Sequence, residues 1–237
     1  MTDQRGGRKA PPSDRVEALF DDIVGRYDRV NTILSFGLDR AWRRAAARAL
    51  RSPPGALVLD LGCGTGALGL ELAATHRVVG VDVSHGMLRA AATKAGRRMQ
   101  LVRGAALRLP FPSGAFQGAV SAFLLRNLDD LPGAFDELAR VVAPAGSVAL
   151  LDITGPRNPM LRRAFDAYFG AAAPALGALI GRPEAYRYLV RSLAQLPDPE
   201  MVCAMLWDAG FSEARARGLT GGVVTLFTAT RGPSRRT

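Results

Sequence analysis

The sequence predicts an α/β fold: a doubly wound, mostly parallel sheet with N-terminal helices, a helical insertion and a C-terminal antiparallel hairpin. Three observations carry this expectation. Between residues 56 and 152, short apolar runs of strand length alternate with segments of helical period, as βαβ units do. The glycine-rich turn Gly62-Cys63-Gly64-Thr65-Gly66 joins the first of those runs to a helix. Near the C-terminus, two strand-like runs flank Thr220-Gly221-Gly222, as the strands of a hairpin would.

The elements follow in order. Asp14 and Glu17 open a helix whose apolar face is Val16, Leu19, Phe20, Ile23 and Tyr27. A second helix, over 39–51, stops at Pro53-Pro54. Strands are predicted over 56–60, 77–82, 100–103, 117–123 and 147–152, and helices over 67–75 and 84–97. A further helix carries Leu131, Phe135, Leu138 and Val142 and is entered through Asp130 and Pro132. After Asp152 the rhythm breaks. The apolar stretch 167–180, interrupted by Gly170, Pro174 and Gly177, is too short to span a bilayer and reads as part of a helical lid. Asp198-Pro199-Glu200 opens a last helix ending at Gly210, followed by hairpin strands over 211–219 and 223–230. The chain is thus expected to form one domain over 13–231, with a helical cap at 13–54 and a lid at 157–197, between loose tails at 1–12 and 232–237.

Composition narrows the function. The 237 residues are 48% hydrophobic and 22% charged, which excludes a disordered or fibrous chain. Cys63 and Cys203 form no disulfide framework, and the first residues lack the apolar run of a secretory signal, so a reducing, cytoplasmic setting is expected. The net charge of +10 is almost wholly arginine, with Lys9 and Lys94 the only lysines. Arg40, Arg44, Arg48 and Arg51 recur at helical spacing, readable as a solvated face or as a stripe that attracts phosphate or anionic lipid. Aromatic residues at 7%, without a nucleic-acid-binding motif, argue against nucleic acid. Two histidines and two cysteines without ligand spacing argue against a metal.

The glycine turn suggests a nucleoside ligand. Its glycines let backbone approach the ligand closely, and Asp82, at the end of the next strand, can accept both hydroxyls of a ribose. Gly62, Gly64 and Ala67 also fit the dinucleotide spacing G-x-G-x-x-A. Asp60 decides against that reading, because a carboxylate beside the turn repels pyrophosphate and attracts the amine and sulfonium of S-adenosylmethionine. No Tyr-x-x-x-Lys pair is present for hydride chemistry either.

A longer set of residues carries a resemblance. It includes Arg26-Tyr27-Asp28-x-x-Asn31, Leu34-Ser35-Phe36-Gly37-Leu38, Trp42-Arg43, Val81-Asp82-Val83-Ser84, Leu109-Pro110-Phe111-Pro112, Leu125-Arg126-Asn127, Tyr186-x-Tyr188-Leu189-x-x-Ser192 and Leu219-Thr220-Gly221-Gly222. From Phe20 to Val223 the chain resembles the C-methyltransferases of ubiquinone and menaquinone biosynthesis, which implies a class I Rossmann-like methyltransferase fold, S-adenosylmethionine and a polyprenylated quinol acceptor. The expected cofactor contacts are Tyr27, Asp60, Gly62, Gly64, Thr65, Asp82, Ala105 and Ala106. Ala105 takes the place where the family has Asp or Asn, whose side chain reaches the adenine, so one hydrogen bond of about 0.5–1.5 kcal/mol is absent while backbone contacts at 105–106 can remain. Ala145 replaces a common glycine, and Asp152 a common glutamate.

Methylation of a ring carbon needs the acceptor hydroxyl, with a phenol-like pKa near 10, driven toward phenolate. Arg126 and Asn127 are expected at the strand-end rim to stabilise that oxygen, or else to pair with Asp129 or Asp130 and to cap the next helix. Asp152 and Tyr188 are candidate bases, with water as the alternative. His85, His76 and Cys63 are expected to do no chemistry. Two other readings stay open on the sequence: a methyltransferase for another hydrophobic phenol, and a non-catalytic cofactor-binding component of a quinone-synthesis assembly. A bilayer-resident acceptor would bring the chain to an anionic membrane surface, using the arginine stripe and the stretch 167–180. A homodimer is compatible with the sequence.

Overall fold

The computed structural model describes residues 24, 27–172, 192–193 and 195–233. The strands are β1 Leu57–Leu61, β2 Arg77–Asp82, β3 Met99–Arg103, β4 Phe116–Ala122, β5 Val142–Ile153, β6 Phe211–Leu219 and β7 Val224–Arg231. The described helices are α1 Tyr27–Leu34, α2 Leu38–Ala49, α3 Ala67–Leu72, α4 His85–Ala95, α5 Leu131–Val141, α6 Pro159–Ala167 and α7 Pro199–Asp208. The helix expected around Val16, Leu19 and Phe20, most of the lid, and the tyrosines Tyr186 and Tyr188 lie outside the described residues.

The strands form one seven-stranded sheet in the order β3-β2-β1-β4-β5-β7-β6. β1 to β5 are parallel; β7 runs antiparallel to β5, and β6 to β7. The period of two along each strand divides the core between the two faces of the sheet. Leu59, Leu61, Val79 and Val81 pack with Phe135 and Leu138 of α5 and Val202 and Leu206 of α7. Val58, Val78 and Val120 pack with Trp42 and Ala46 of α2 and Leu68 and Leu72 of α3. Among the described residues no helix is long and apolar enough to cross a membrane.

Local chemistry fixes the helix starts. The Ser84 side chain accepts from the Met87 N–H at 3.0 Å to cap α4, and Asp130 accepts from the Gly133 N–H at 2.9 Å to cap α5. β5 is the element that departs most from expectation, beginning at Val142 rather than at residue 147. α5 passes into it without a loop, and the pairing shifts register between Phe116↔Val142 and Gly118↔Ser147. Ala145, inside that irregular stretch, takes the left-handed φ of 63°. A proline followed by a left-handed residue conceals a strand in sequence, because both are signals of a turn.

Candidate active site

Two cavities adjoin the carboxyl ends of the parallel strands, where the strand order reverses between β1 and β4. The first, of about 170 Å³, is lined by Gly62, Gly64, Asp82, Ala105, Ala106 and Asn127 among others. Gly62 and Gly64 have φ of 65° and 53°, and a Cβ built on Gly64 meets nothing within 4 Å, so a ligand can lie against bare backbone there. The Asp82 carboxylate accepts from the Gly64 N–H at 2.8 Å and the Ser84 N–H at 2.9 Å, which holds the turn against the end of β2. Asp82 and Asp129 both line this cavity, and its described lining includes no lysine, arginine or histidine. That donor set fits a cationic nucleoside and disfavours a pyrophosphate.

Three expected cofactor contacts are elsewhere or outside view. Asp60 lies on the α2–α3 face of β1, is 1% exposed and lines neither cavity. Its Oδ2 accepts from the Gly69 N–H at 2.8 Å. Burial pushes its carboxyl up to about 7, against the Gly69 N–H and the Arg43 guanidinium and with Asp82 adding to the rise. The preference for a cationic ligand therefore rests on Asp82 and Asp129; Asp60 braces the helix behind the turn. Thr65 likewise lines neither cavity. Its buried hydroxyl donates to Asp28 Oδ1 at 2.6 Å, and Lys94 Nζ pairs with the other oxygen, tying α1 to the glycine turn and to α4. Burial raises the Asp28 carboxyl, but the Lys94 ammonium and Thr65 hydroxyl outweigh it and hold the group below its ordinary range. Tyr27 starts α1, and its side chain lies outside the described residues.

The second cavity, about 370 Å³, is predominantly apolar. Its walls come from α1, α2, α6, the turn after β4 and the tip of the β6–β7 hairpin, and include Leu34, Trp42, Phe165, Phe169 and Val223. Trp42 Nε1 donates to Thr220 Oγ1 at 2.8 Å, joining α2 to the hairpin tip, and Tyr168 Oη donates to the Leu34 carbonyl at 2.9 Å. Phe123 lines both cavities. It adopts φ 66°, a strain of about 1–3 kcal/mol for such a residue. Its N–H donates to the Leu151 carbonyl at 2.7 Å, and the guanidinium carbons of Arg43 and Arg126 stand 5.0 and 5.8 Å from the ring centroid.

Arg126 and Asn127, expected on one oxygen, face different cavities. Arg126 is the one described cation lining the apolar cavity, whereas Asn127 lines the glycine-turn cavity and donates from Nδ2 to the Phe123 carbonyl at 3.2 Å. Arg126 pairs neither with Asp129 nor with Asp130. Its Nη1 donates to Asp152 Oδ1 at 2.5 Å, its backbone N–H to Oδ2 at 3.1 Å, and its Nε to Ser192 Oγ at 3.2 Å. Among the described residues its Nη2 makes no hydrogen bond. Asp152 is fully buried and lines neither cavity, so it orients Arg126 and does not approach the cleft as a base. His85 is exposed at the start of α4, His76 contacts Thr75 Oγ1 and the Ser52 carbonyl, and burial followed by Asp60 and Asp82 pushes the Cys63 thiol up, away from nucleophilic chemistry.

Three cavity-lining residues are not expected there from the sequence: Phe123, Asp39, and Asp129, which reads only as a possible partner of Arg126. Asp129 stands beside Asp130 as a second acid, a detectable signal. The left-handed backbone of Phe123 is tied to Leu151, and Asp39 is carried to the cavity by α2, which packs on the sheet through Trp42 and Ala46.

Comparison with known proteins bears on the family and the fold. Residues 9–231 match the profile of the ubiE/COQ5 methyltransferase family. The chain belongs to that family. A demethylmenaquinone methyltransferase from Mycolicibacterium gilvum is 40% identical over 218 residues, 91% of this chain and 94% of the relative. A ubiquinone/menaquinone biosynthesis C-methyltransferase, UbiE, from Syntrophotalea carbinolica is 38% identical over 226 residues, covering 93% and 95%. The solved SAM-dependent methyltransferase from Aquifex aeolicus shares the fold, with a TM-score of 0.61 at 18% identity over 86% of this chain and 97% of that one. The family member described here thus carries the doubly wound sheet expected of it, with the antiparallel hairpin at its C-terminal edge.

Proposed function

We propose that the protein transfers a methyl group from S-adenosylmethionine to a ring carbon of a prenylated quinol, with demethylmenaquinol as the acceptor. One observation carries the reading: an acidic nucleoside cavity adjoins an apolar cavity with a single described cation, and one ring, Phe123, belongs to both walls. Family membership and the activities named for the relatives support it. Asp82 would hold the ribose hydroxyls, the backbone at Gly62 and Gly64 the amino-acid end, and the backbone of Ala105 and Ala106 the adenine, with Asn127 and Asp129 completing the polar wall. When bound, the cofactor supplies a methyl already activated on a sulfonium. The chain's own task is to align the acceptor and favour its phenolate, and Arg126, held by Asp152 and Ser192, is oriented to do so through Nη2.

The mouth of the apolar cavity favours an acceptor drawn from a bilayer. Phe36 is 77% exposed and Leu161 46%, both at the cavity, with Ile33 and Met160 exposed nearby in sequence. Arg40, Arg44 and Arg48 are exposed along α2 and Arg51 just beyond its end, as are Arg157, ahead of α6, and Arg162 and Arg163 within it. This mixture suits an anionic lipid surface. Binding to anionic vesicles should weaken with added salt, and salt-independent binding would refute the electrostatic part.

Calorimetry with S-adenosylmethionine tests the cofactor assignment. Asp82→Ala should weaken binding by about 10- to 100-fold, the loss of a charge-assisted contact; unchanged affinity would refute it. Assays with prenylated naphthoquinols against benzoquinols and short-chain phenols test the acceptor.

A further inference from the structure

We infer that Asp39 is the proton acceptor for the ring hydroxyl, an inference that rests on the quinol reading above. Asp39 sits in the first turn of α2, is 8% exposed, and is the one described carboxylate lining the apolar cavity. A buried carboxylate normally carries a close ion pair or several donors. Among the described residues this one has neither. Oδ1 accepts from Ser35 Oγ at 3.2 Å, and Oδ2 lies 4.0 Å from Arg43 Nε, beyond hydrogen-bonding reach. Arg43 Nε is itself buried without a hydrogen-bond partner among the described residues. A carboxylate left with lone pairs to fill in an apolar cavity is suited to receive a hydroxyl proton from the ligand.

The charges around it complete the arrangement. Arg43 approaches from α2 itself, Arg126 from the turn after β4 lines the same cavity, and the Tyr168 hydroxyl, which burial raises, belongs to the segment after α6. Tyr168 donates to the Leu34 carbonyl and is no competing base. Arg126 can therefore stabilise the oxyanion while Asp39 takes the proton. The hydroxyl proton passes to Asp39, and the ring carbon becomes tetrahedral as it bonds the methyl, whose carbon–sulfur bond would break with its electron pair left on a neutral thioether. That carbon then loses its own proton to solvent, and the product phenolate takes the first proton back from Asp39. Asp39 also lies in the first turn of a helix, where an acid is favourable for structure alone. The test must separate the two roles.

The experiment uses the full-length protein with Asp39→Asn and Asp39→Glu. With S-adenosylmethionine and a short-chain prenylated naphthoquinol, Asp39→Asn should lower kcat at pH 7 by about 100- to 1000-fold, within the range of a general base. Its rate should then climb about tenfold per pH unit toward the phenol pKa near 10, while Asp39→Glu restores kcat to within about tenfold. A second readout needs no cofactor. Bound 2-naphthol, a photoacid, should emit as naphtholate in the wild-type protein and as neutral naphthol in Asp39→Asn. An Asp39→Asn variant that keeps the wild-type pH profile and naphtholate emission overturns the inference, as does Asp39→Glu behaving no better than Asn. If the wild-type protein methylates no prenylated quinol yet the emission depends on Asp39, the acceptor assignment fails and the proton-accepting role stands.

Discussion

Replacing Asp152 with alanine should destabilise the protein by about 3–5 kcal/mol, the usual cost of removing one member of a buried ion pair. The side chain is 0% exposed and receives three hydrogen bonds: Arg126 Nη1 at 2.5 Å, the Arg126 N–H at 3.1 Å and the Ile153 N–H at 2.7 Å. Alanine leaves the Arg126 guanidinium, 6% exposed, with Ser192 Oγ as its remaining described partner, and strands two backbone donors as well. At about 2–4 °C per kcal/mol for a chain of this size, the melting temperature should fall by about 6–20 °C. The pair also predicts an asymmetry. Arg126→Met combined with Asp152→Leu removes both charges, so the double variant should be more stable than Asp152→Ala alone although it can no longer stabilise an oxyanion. Urea unfolding of the single and double variants at one pH measures both effects. A loss below about 1 kcal/mol for Asp152→Ala, or a double variant no more stable than the single, would refute a buried ion pair of the kind described.

Asp60 has a folded pKa of about 7, above the unfolded value of 3.8, so the wild-type protein loses stability as pH rises from about 4 to 7. Asp60→Asn should lack that decline, gaining up to about 4 kcal/mol relative to wild type by pH 8; parallel urea profiles at pH 5 and 8 would contradict it. Asp28 has the opposite sign: its lowered pKa stabilises above the ordinary carboxylate range and the benefit is lost in acid. With its side chain 41% exposed, Asp28→Asn should cost no more than about 1 kcal/mol at pH 7. Chemical unfolding at pH 3 should show the difference vanish. Ala145→Gly should stabilise by about 0.5–1 kcal/mol, because Ala145 holds φ 63°; a thermal melt at or below the wild-type value would show that the left-handed backbone carries no strain.

How far the sequence reaches depends on whether the deciding contact is local. The predicted bounds of β2 and β6 coincide with the observed Arg77–Asp82 and Phe211–Leu219, and the Asp130 cap lies where the Asp-Leu-Pro pattern implies. Gly62, Gly64 and Asp82 meet as expected, because a strand, a glycine turn and the end of the neighbouring parallel strand are joined by short-range rules. Asp60 was legible as a charge beside the turn, but which face of β1 carries it is settled by the packing of α2 and α3. Arg126 and Asn127 follow one another in sequence, yet the short 3-10 turn Leu125–Asn127 sends them into separate cavities. The Arg126–Asp152 pair spans 26 residues and the apolar cavity that Phe123 helps to wall draws on stretches of chain far apart in sequence, so neither leaves a periodic trace.

The hydrogen bond from Trp42 to Thr220 spans 178 residues. The wall it closes cannot exist until the hairpin tip has been made, whereas the glycine-turn cavity draws its described lining from residues 61–129. During synthesis from the N-terminus the nucleoside-binding half has all its residues well before the acceptor half. Such a distant contact also belongs to the slow end of assembly, after loop closure has been met elsewhere. A chain cut just before the hairpin would therefore retain every described residue of the nucleoside cavity while lacking a wall for the acceptor, so the order of synthesis places readiness for the methyl donor ahead of readiness for its destination.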